Sequence, residues 1–360
     1  MTSILGGFGT SIWLDDLSRA KLTGTDPHSL PHRIKNDGVV GVTTNPSIFS
    51  AAIAGSDDYA SDIATMMGAR VEEVITKLTT DDVRSACDLF KDIYSSSQGV
   101  DGRVSIEVDP RSAHETEKTI AEGLSLFTTI DRPNVMIKVP ATLEGLPAIT
   151  ALISAGVSVN VTLIFSLERY DAVISAFMDG LEARIARGES ISDIHSVASF
   201  FISRIDTAID PLLDASGNSA LRGKAAVANA HLAYELYLKR VASQRWSAIS
   251  AQGGRMQRPL WASTGVKDPS YEDTRYVVEL VAADCVNTMP QSTLDALNDH
   301  GVVRGDTISG RFDEGRRTIA DIEAAGISLA KITHDLEVDG VKKFADAWIS
   351  LLASVEGVMK

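Results

Sequence analysis

A lysine interrupts one of the most apolar stretches of the chain. Asn134-Val-Met-Ile-Lys-Val-Pro-Ala-Thr142 reads as a buried strand, and alternation puts Lys138 on the face of Met136, opposite Val135, Ile137 and Val139. An unpaired ammonium in such surroundings costs several kcal/mol, so the lysine finds a partner or gives up its proton. A neutral lysine amine attacks carbonyl carbon and forms an imine, which makes Schiff-base chemistry the first hypothesis. The alternative is a strand-end lysine whose stem packs while its head reaches water.

Other apolar runs also stop at polar side chains. One ends Trp13-Leu14-Asp15-Asp16, a second Thr43-Thr44-Asn45-Pro46, a third Ile106-Glu107-Val108-Asp109. In a fifth run Ser158, Asn160 and Thr162 share one face and Val157, Val159 and Val161 the other; a sixth carries Ser199 and then Arg204; a seventh ends Ser263-Thr264-Gly265-Val266-Lys267. Each has a structural explanation of its own. Asp15 or Asp16 could cap a helix, and Asn45-Pro46-Ser47 could be turn chemistry. Glu107 on an inward face, and Asn160 and Thr162 within a Val/Leu run, each need partners. Their recurrence at strand after strand points to one shared polar site holding a lysine, two carboxylates, two asparagines and several hydroxyls. That set suits polyol chemistry through an imine.

The elements that would assemble such a site are eight strands, expected at Ser11–Asp15, Val39–Thr44, Arg103–Val108, Val135–Val139, Val157–Leu163, Val197–Phe201, Pro259–Ser263 and Cys285–Thr288. Helical periodicity falls between and after them, at Ser112–Thr129, Leu143–Ala155, Leu167–Arg187, Asn218–Gln244, Ser270–Ala282, Gln291–Asp299, Phe312–Ala325 and Val338–Glu356. Eightfold strand–helix alternation is the pattern of an α/β (β/α)8 TIM barrel, whose chemistry sits at the C-terminal ends of the strands. An open doubly wound sheet usually carries a Gly-rich first turn, which is missing here. Two regions exceed a minimal barrel, at about 48–99 and 206–258. Helical pattern fills Asp57–Leu78 and Asp81–Ser95 of the first, and a long helix with the polar loop Ala251–Gln257 the second. Both read as elaborations of a single domain spanning 1–360.

Composition bounds the rest. With 360 residues, 44% hydrophobic and 23% charged, the chain is ordinary globular material. A net charge of −14 argues against a general nucleic-acid or anionic-membrane binder. Cys87 and Cys285 are too few for a disulfide framework and read as buried thiols. The first residues lack a basic n-region and a long apolar run, and no stretch approaches a membrane span, so the expectation is a cytoplasmic protein.

Several signals fail. His28 and His32 have i, i+4 spacing, but Pro27 and Pro31 interrupt any helix and no third zinc ligand is near. Gly217-Asn-Ser-Ala-Leu-Arg-Gly-Lys224 is one residue too long for a P-loop and is followed by Ala225 in place of Ser or Thr, so it reads as a helix start. G-x-S-x-G does not occur.

The sequence resembles transaldolase nearly end to end. The segments that carry the resemblance are Gly41-Val-Thr-Thr-Asn-Pro-Ser-Ile48, Val104-Ser-Ile-Glu-Val-Asp109, Val135-Met-Ile-Lys-Val-Pro-Ala-Thr142, Val159-Asn-Val-Thr-Leu-Ile-Phe-Ser166 and Ser199-Phe-Phe-Ile-Ser-Arg-Ile-Asp206. Its length and enlarged loops look like the longer bacterial members. The resemblance implies a class I aldolase barrel without metal or organic cofactor, working on phosphorylated sugars in the non-oxidative pentose phosphate pathway. Such enzymes move a dihydroxyacetone unit from sedoheptulose 7-phosphate to glyceraldehyde 3-phosphate, giving erythrose 4-phosphate and fructose 6-phosphate. By position, Lys138 matches the Schiff-base lysine, and Asp15, which follows the strand's last apolar residue, matches the acid/base. Glu107 and Thr162 match the pair that holds a catalytic water. Asn45, Asn160 and Ser199 match sugar-binding residues, and Arg204 the phosphate arginine.

One position departs from the pattern. Many relatives have Ser-x-Arg after the seventh strand, whereas this chain has Ser263-Thr-Gly265 with Lys267 as the nearest cation. Ser263 and Lys267 are therefore expected to share the phosphate with Arg204, Lys267 with a less directional grip than a guanidinium. The near alternative is a fructose-6-phosphate aldolase-like lyase, in which the Glu107 position tends to be Gln and the Phe201 position Tyr. A non-catalytic phosphosugar-binding barrel would be expected to lose the lysine or the carboxylates, and all are present. The oligomeric expectation is a monomer or homodimer.

Overall fold

Short Val/Ile-rich runs bounded by glycine and polar residues form eight strands, and the crossover helices leave them no choice but to pair in parallel. In the computed structural model, which describes residues 5–54 and 56–359, the strands are β1 (Thr10–Leu14), β2 (Val39–Val42), β3 (Arg103–Glu107), β4 (Val135–Pro140), β5 (Val159–Ile164), β6 (Ser196–Phe201), β7 (Arg258–Ala262) and β8 (Cys285–Met289). They close in sequence order, β1 pairing β8, into an eight-stranded parallel barrel. This is the expected (β/α)8 TIM barrel with additional helices. The barrel and its helix layer share one apolar core that includes Trp13, Trp261, Phe177 and Phe200. Both cysteines are buried free thiols. Among the described residues no helix is long and apolar enough to cross a membrane.

Register does the positioning. Glu107 is the partner of Lys138 across β3 and β4, and Lys138 the partner of Asn160 across β4 and β5. The three therefore form one row around the barrel wall. Between β5 and β6 the register gains one residue, since Val161 faces Ala198 but Ile164 faces Phe200. The extra residue is taken up at Leu163, whose φ of 61° lies in the left-handed region. A bulge with local strain at a strand's C-terminal end re-aims its neighbour, here Thr162. On the other side of the barrel Gly41 is obligatory. A Cβ there would lie 2.6 Å from the Trp13 ring, which fills the interior.

The N-terminal end of the barrel is tied by charges. Arg258 reaches Asp101 (2.9 Å) and the Ser11 hydroxyl (3.0 Å), and Ser11 in turn donates to Asp101. Fully buried Arg103 donates to the Gly99 and Pro133 carbonyls and the Ser158 hydroxyl. Such networks at this end serve stability, which leaves the opposite end for chemistry.

The segment joining β2 to β3 holds the helices Pro46–Ala54, Ala60–Thr65, Val71–Leu89 and Lys91–Ser96; that joining β6 to β7 holds Ser203–Ala215, Ala225–Val241 and Gln244–Ser250. The P-loop-like run indeed leads into a helix, with Lys224 preceding Ala225–Val241. One expected helix is much shorter. Ser270–Ala282 yields only Arg275–Val278, because flanking amides bond elsewhere. Ser270 N–H turns onto Asp268, Val281 N–H goes to the Thr307 hydroxyl and Ala282 N–H to the Thr10 hydroxyl. The last helix is longer than expected. Leu329–Val358 has 30 residues, about 45 Å, and its N-terminus is capped by the Ser328 hydroxyl. It packs across Pro46–Ala54, Val71–Leu89, Ser203–Ala215 and β5, and so lies over the barrel mouth.

Candidate active site

Lys138 sits inside the mouth with its side chain 5% exposed. Its Nζ donates to the Thr44 carbonyl at 3.0 Å and stands 3.8 Å from Glu107 Oε2. It has found partners, as a buried lysine must, and does not snorkel to solvent. From above, the Phe344 ring on helix Leu329–Val358 approaches the same nitrogen at 5.7 Å.

Around Lys138 the polar atoms fall into two sets. Asn160 Nδ2 donates to the Ser105 hydroxyl (3.0 Å), and the Ser199 hydroxyl donates to Asn160 Oδ1 (2.7 Å). This chain fixes the amide in one orientation across β3, β5 and β6. By contrast, both Glu107 oxygens and the Thr162 hydroxyl are buried without a hydrogen-bond partner among the described residues. Burial raises the Glu107 carboxyl to about 7, with Lys138 and Arg204 opposing the rise and Asp15 adding to it. A carboxyl with that value exchanges a proton readily at neutral pH.

Asp15 and Asp16 are adjacent in sequence and separate in role. Asp16 pairs with Lys21. Asp15 accepts a 2.6 Å hydrogen bond from the Thr43 hydroxyl, which is 2.7 Å from the Thr288 hydroxyl. Protein surrounds the Asp15 carboxyl and raises it above the usual range, while Lys138, Thr43 and Arg204 pull the other way. Neither aspartate caps the next helix, because the Ser18 hydroxyl takes that place. Asn45 does cap, its Oδ1 accepting from Ile48 N–H at 3.1 Å. Its amide nitrogen is thereby left as the donor.

Arg204 lies in the first turn of helix Ser203–Ala215, half-buried, its guanidinium carbon 5.0 Å from the Phe201 ring and 6.0 Å from that of Phe344. Its Nη1 is buried without a hydrogen-bond partner among the described residues. Beside it the Ser203 and Ser263 hydroxyls are 3.0 Å apart, and Ser203 N–H donates to the Ser263 carbonyl. Ser263 adopts φ 55° as β7 ends. A guanidinium, two hydroxyls and a helix N-terminus make a cradle for an anion. Lys267 lies four residues past Ser263 with an exposed side chain.

Lys138, Asp15 and Glu107 thus converge through contact or mutual electrostatics, Asn160 and Ser199 join them through strand register and their own hydrogen bond, Thr162 is buried two residues further along β5, and Asn45, Arg204 and Ser263 follow the ends of β2, β6 and β7. Sequence reasoning passed over Thr43, which orients Asp15, and Ser105, which orients Asn160. Both stand inside quoted strand segments, two residues before Asn45 and Glu107, and alternation alone could have found them. Phe344 had no such signal, being one of several apolar residues on a terminal helix.

The Transaldolase/Fructose-6-phosphate aldolase family profile matches residues 12–355. A transaldolase of Arthrobacter sp. (strain FB24) is 54% identical over 99% of this chain and 97% of its own. One from Renibacterium salmoninarum is 53% identical over 99% and 96%, and one from Mycolicibacterium smegmatis 52% over 98% and 96%. A barrel with a buried lysine between paired carboxyls, matched over nearly its whole length, belongs to the transaldolase/fructose-6-phosphate aldolase family.

Proposed function

We propose that this chain is a transaldolase that moves a dihydroxyacetone unit from sedoheptulose 7-phosphate to glyceraldehyde 3-phosphate by way of an imine on Lys138. The observation that carries the reading is the row Glu107, Lys138, Asn160, which presents a buried amine beside a carboxyl of raised pKa and a fixed amide. In its free-amine form Lys138 adds to the donor's ketone carbon. A water held between Glu107 and Thr162 satisfies their buried oxygens and relays protons as the carbinolamine forms and collapses. The imine then serves as an electron sink. Asp15 removes the C4 hydroxyl proton as the C3–C4 bond breaks, erythrose 4-phosphate departs, and an enamine remains on the lysine. The acceptor aldehyde enters, the new C–C bond forms, and Asp15 returns its proton to the nascent alkoxide. Hydrolysis releases fructose 6-phosphate.

Asn45, Asn160 and Ser199 bind the sugar hydroxyls without adding charge, while Arg204 and Ser263 hold the phosphate. Lys267, whose side chain is exposed, adds a weaker and less directional charge to that grip. Glu107 and Phe201 favour transfer over the lyase reaction, whose relatives tend to carry Gln and Tyr there. We further propose a single-domain cytoplasmic enzyme, a monomer or homodimer, with no nucleic-acid partner.

Incubation with fructose 6-phosphate, borohydride reduction and mass mapping test the central claim; an adduct on another lysine, or none, overturns it. Free dihydroxyacetone released without acceptor at rates near those of transfer would assign the chain to the lyase branch of the family.

A further inference from the structure

β1 lies between β8 and β2 in the closed barrel, and Asp15 follows its last residue. The backbone there is tied to both neighbours. Asp15 N–H donates to the Met289 carbonyl of β8 (2.8 Å), and Thr43 N–H, just past β2, donates to the Leu14 carbonyl (2.9 Å). Two buried threonine hydroxyls meet across this junction, Thr43 after β2 and Thr288 in β8, 2.7 Å apart. The Thr43 hydroxyl donates to Asp15 Oδ1 at 2.6 Å. Among the described residues the Thr288 hydroxyl has no other hydrogen-bond partner, and its residue is pinned by the Thr264 hydroxyl, which donates to the Thr288 carbonyl at 2.9 Å. A hydroxyl carries one proton. That of Thr43 is committed to the carboxylate, so the contact between the threonines is a hydrogen bond only if Thr288 donates. The chain therefore has one direction, Thr288 to Thr43 to Asp15. A donor that is itself hydrogen-bonded gives a stronger bond to a charged acceptor.

We propose that Thr288 is a positioning residue for the proton transfer at C4, acting through Thr43 to keep Asp15 Oδ1 free of protons and leave Oδ2 to the donor's C4 hydroxyl. The proposal rests on the reading of Asp15 as the acid/base. In cleavage the C4 hydroxyl proton goes to Oδ2 while the C3–C4 electron pair passes into the imine, and in addition that proton goes to the new alkoxide. Both threonine hydroxyls keep their own protons throughout, so they orient the base and stabilise its charged form without exchanging with substrate. That support is needed, because burial works against the Asp15 carboxylate. The charged groups facing Asp15 are Lys138 and Arg204, which favour the carboxylate, and Asp16 and Glu107, which disfavour it. Thr43, Thr264 and Thr288 do not titrate. The competing explanation is a cross-strand threonine pair that serves only the sheet.

The test compares the parent with Thr288→Val, which keeps the shape of the side chain and removes the hydroxyl, and with Thr288→Ser. Two quantities are read: borohydride-trapped adduct on Lys138 with fructose 6-phosphate, and the pH profile of kcat for transfer from fructose 6-phosphate to erythrose 4-phosphate. The valine variant is expected to trap at the parental rate while kcat falls about fivefold, the scale of one hydrogen bond. The acidic limb of its profile should move to higher pH by roughly half a pH unit, since the carboxylate has lost support. Serine should recover most of kcat and return the limb. A valine variant that melts lower but keeps the parental kcat and pH profile overturns the proposal, and so does one that loses trapping and transfer equally. If the valine variant does not fold, neutron diffraction from deuterated parent crystals decides. Deuterium on the Thr288 oxygen aimed at Thr43 supports the proposal, and the reverse direction overturns it. Parental transfer in Asp15→Asn would overturn the acid/base reading itself, whereas lost transfer there beside a parental Thr288→Val overturns only the role of the threonine.

Discussion

The Phe344 ring stands 5.7 Å from Lys138 Nζ and 6.0 Å from the Arg204 guanidinium carbon, so one aromatic of the last helix faces both of these cationic side chains. The ring is itself buried, at 5% exposure. Phe344→Ala should destabilise the fold by roughly 3 kcal/mol, the scale for a buried phenylalanine, and lower kcat/KM. Phe344→Leu should restore most of the melting temperature but not the activity, since the ring face is lost. Equal activity of the leucine variant and the parent would show that the ring matters only as bulk.

Glu107 links activity to stability. Its folded value of about 7 lies above its ordinary 4.5, so the folded state holds that proton more tightly than the unfolded state. The resulting stability is fully present below pH 4.5 and lost as pH rises through about 7. The gap corresponds to roughly 3 kcal/mol. Glu107→Gln should therefore flatten the decline in unfolding free energy across this window, measured by urea titration against the parent, while keeping the fold and slowing imine formation. A variant whose stability falls with pH as steeply as the parent's would remove Glu107 as the cause.

Asp15→Asn separates two steps. The amide retains a hydrogen-bond acceptor for Thr43 but cannot take the C4 hydroxyl proton. Borohydride trapping on Lys138 should persist near the parental rate, whereas transfer should fall by about 10²–10⁴-fold. Loss of trapping together with transfer would place Asp15 in imine formation instead.

The barrel and most of this site were legible because strand alternation is rigid. Once Lys138 was placed on the inward face, parallel register carried Glu107 and Asn160 to the same level, and all eight strands fall within two residues of their expected ends. What escaped were features set by tertiary contact. The Leu163 bulge has no glycine to announce it. Helix Ser203–Ala215 runs through Pro211, a residue that argues against a helix interior. Arg204 opens that helix, and its surroundings depend on a C-terminal segment more than 130 residues away, roughly the separation from Phe344. The left-handed backbone at Ser263 likewise has no glycine to announce it.

Arg204 should be irreplaceable by lysine. The guanidinium spreads over Phe201 and keeps its Nη1 in a buried position that an ammonium cannot reproduce. Arg204→Lys should raise KM for fructose 6-phosphate about tenfold or more, the scale of a lost charge-assisted hydrogen bond, with a much smaller effect on unphosphorylated fructose. Lys267→Ala should alter KM less than twofold, as exposed lone charges contribute little. The reverse ranking of the two variants would return the phosphate grip to Lys267.

Gly340 lets the last helix settle onto the mouth. A Cβ there would lie 3.0 Å from Leu163 Cδ2 and 3.6 Å from Arg204 Nη1. Helix propensity alone would favour alanine by about 1 kcal/mol. Leu163 opposes it, because its side chain is enclosed at 1% exposure and its backbone is already held at φ 61°. The methyl cannot withdraw, so the helix must rise and carry Phe344 away from Lys138 and Arg204. Gly340→Ala should therefore lower the melting temperature despite the better propensity and raise KM for phosphorylated donors more than it lowers kcat. A variant that melts higher with KM unchanged would mean that the helix rides loosely enough on the barrel for the Phe344 contacts to survive a shift.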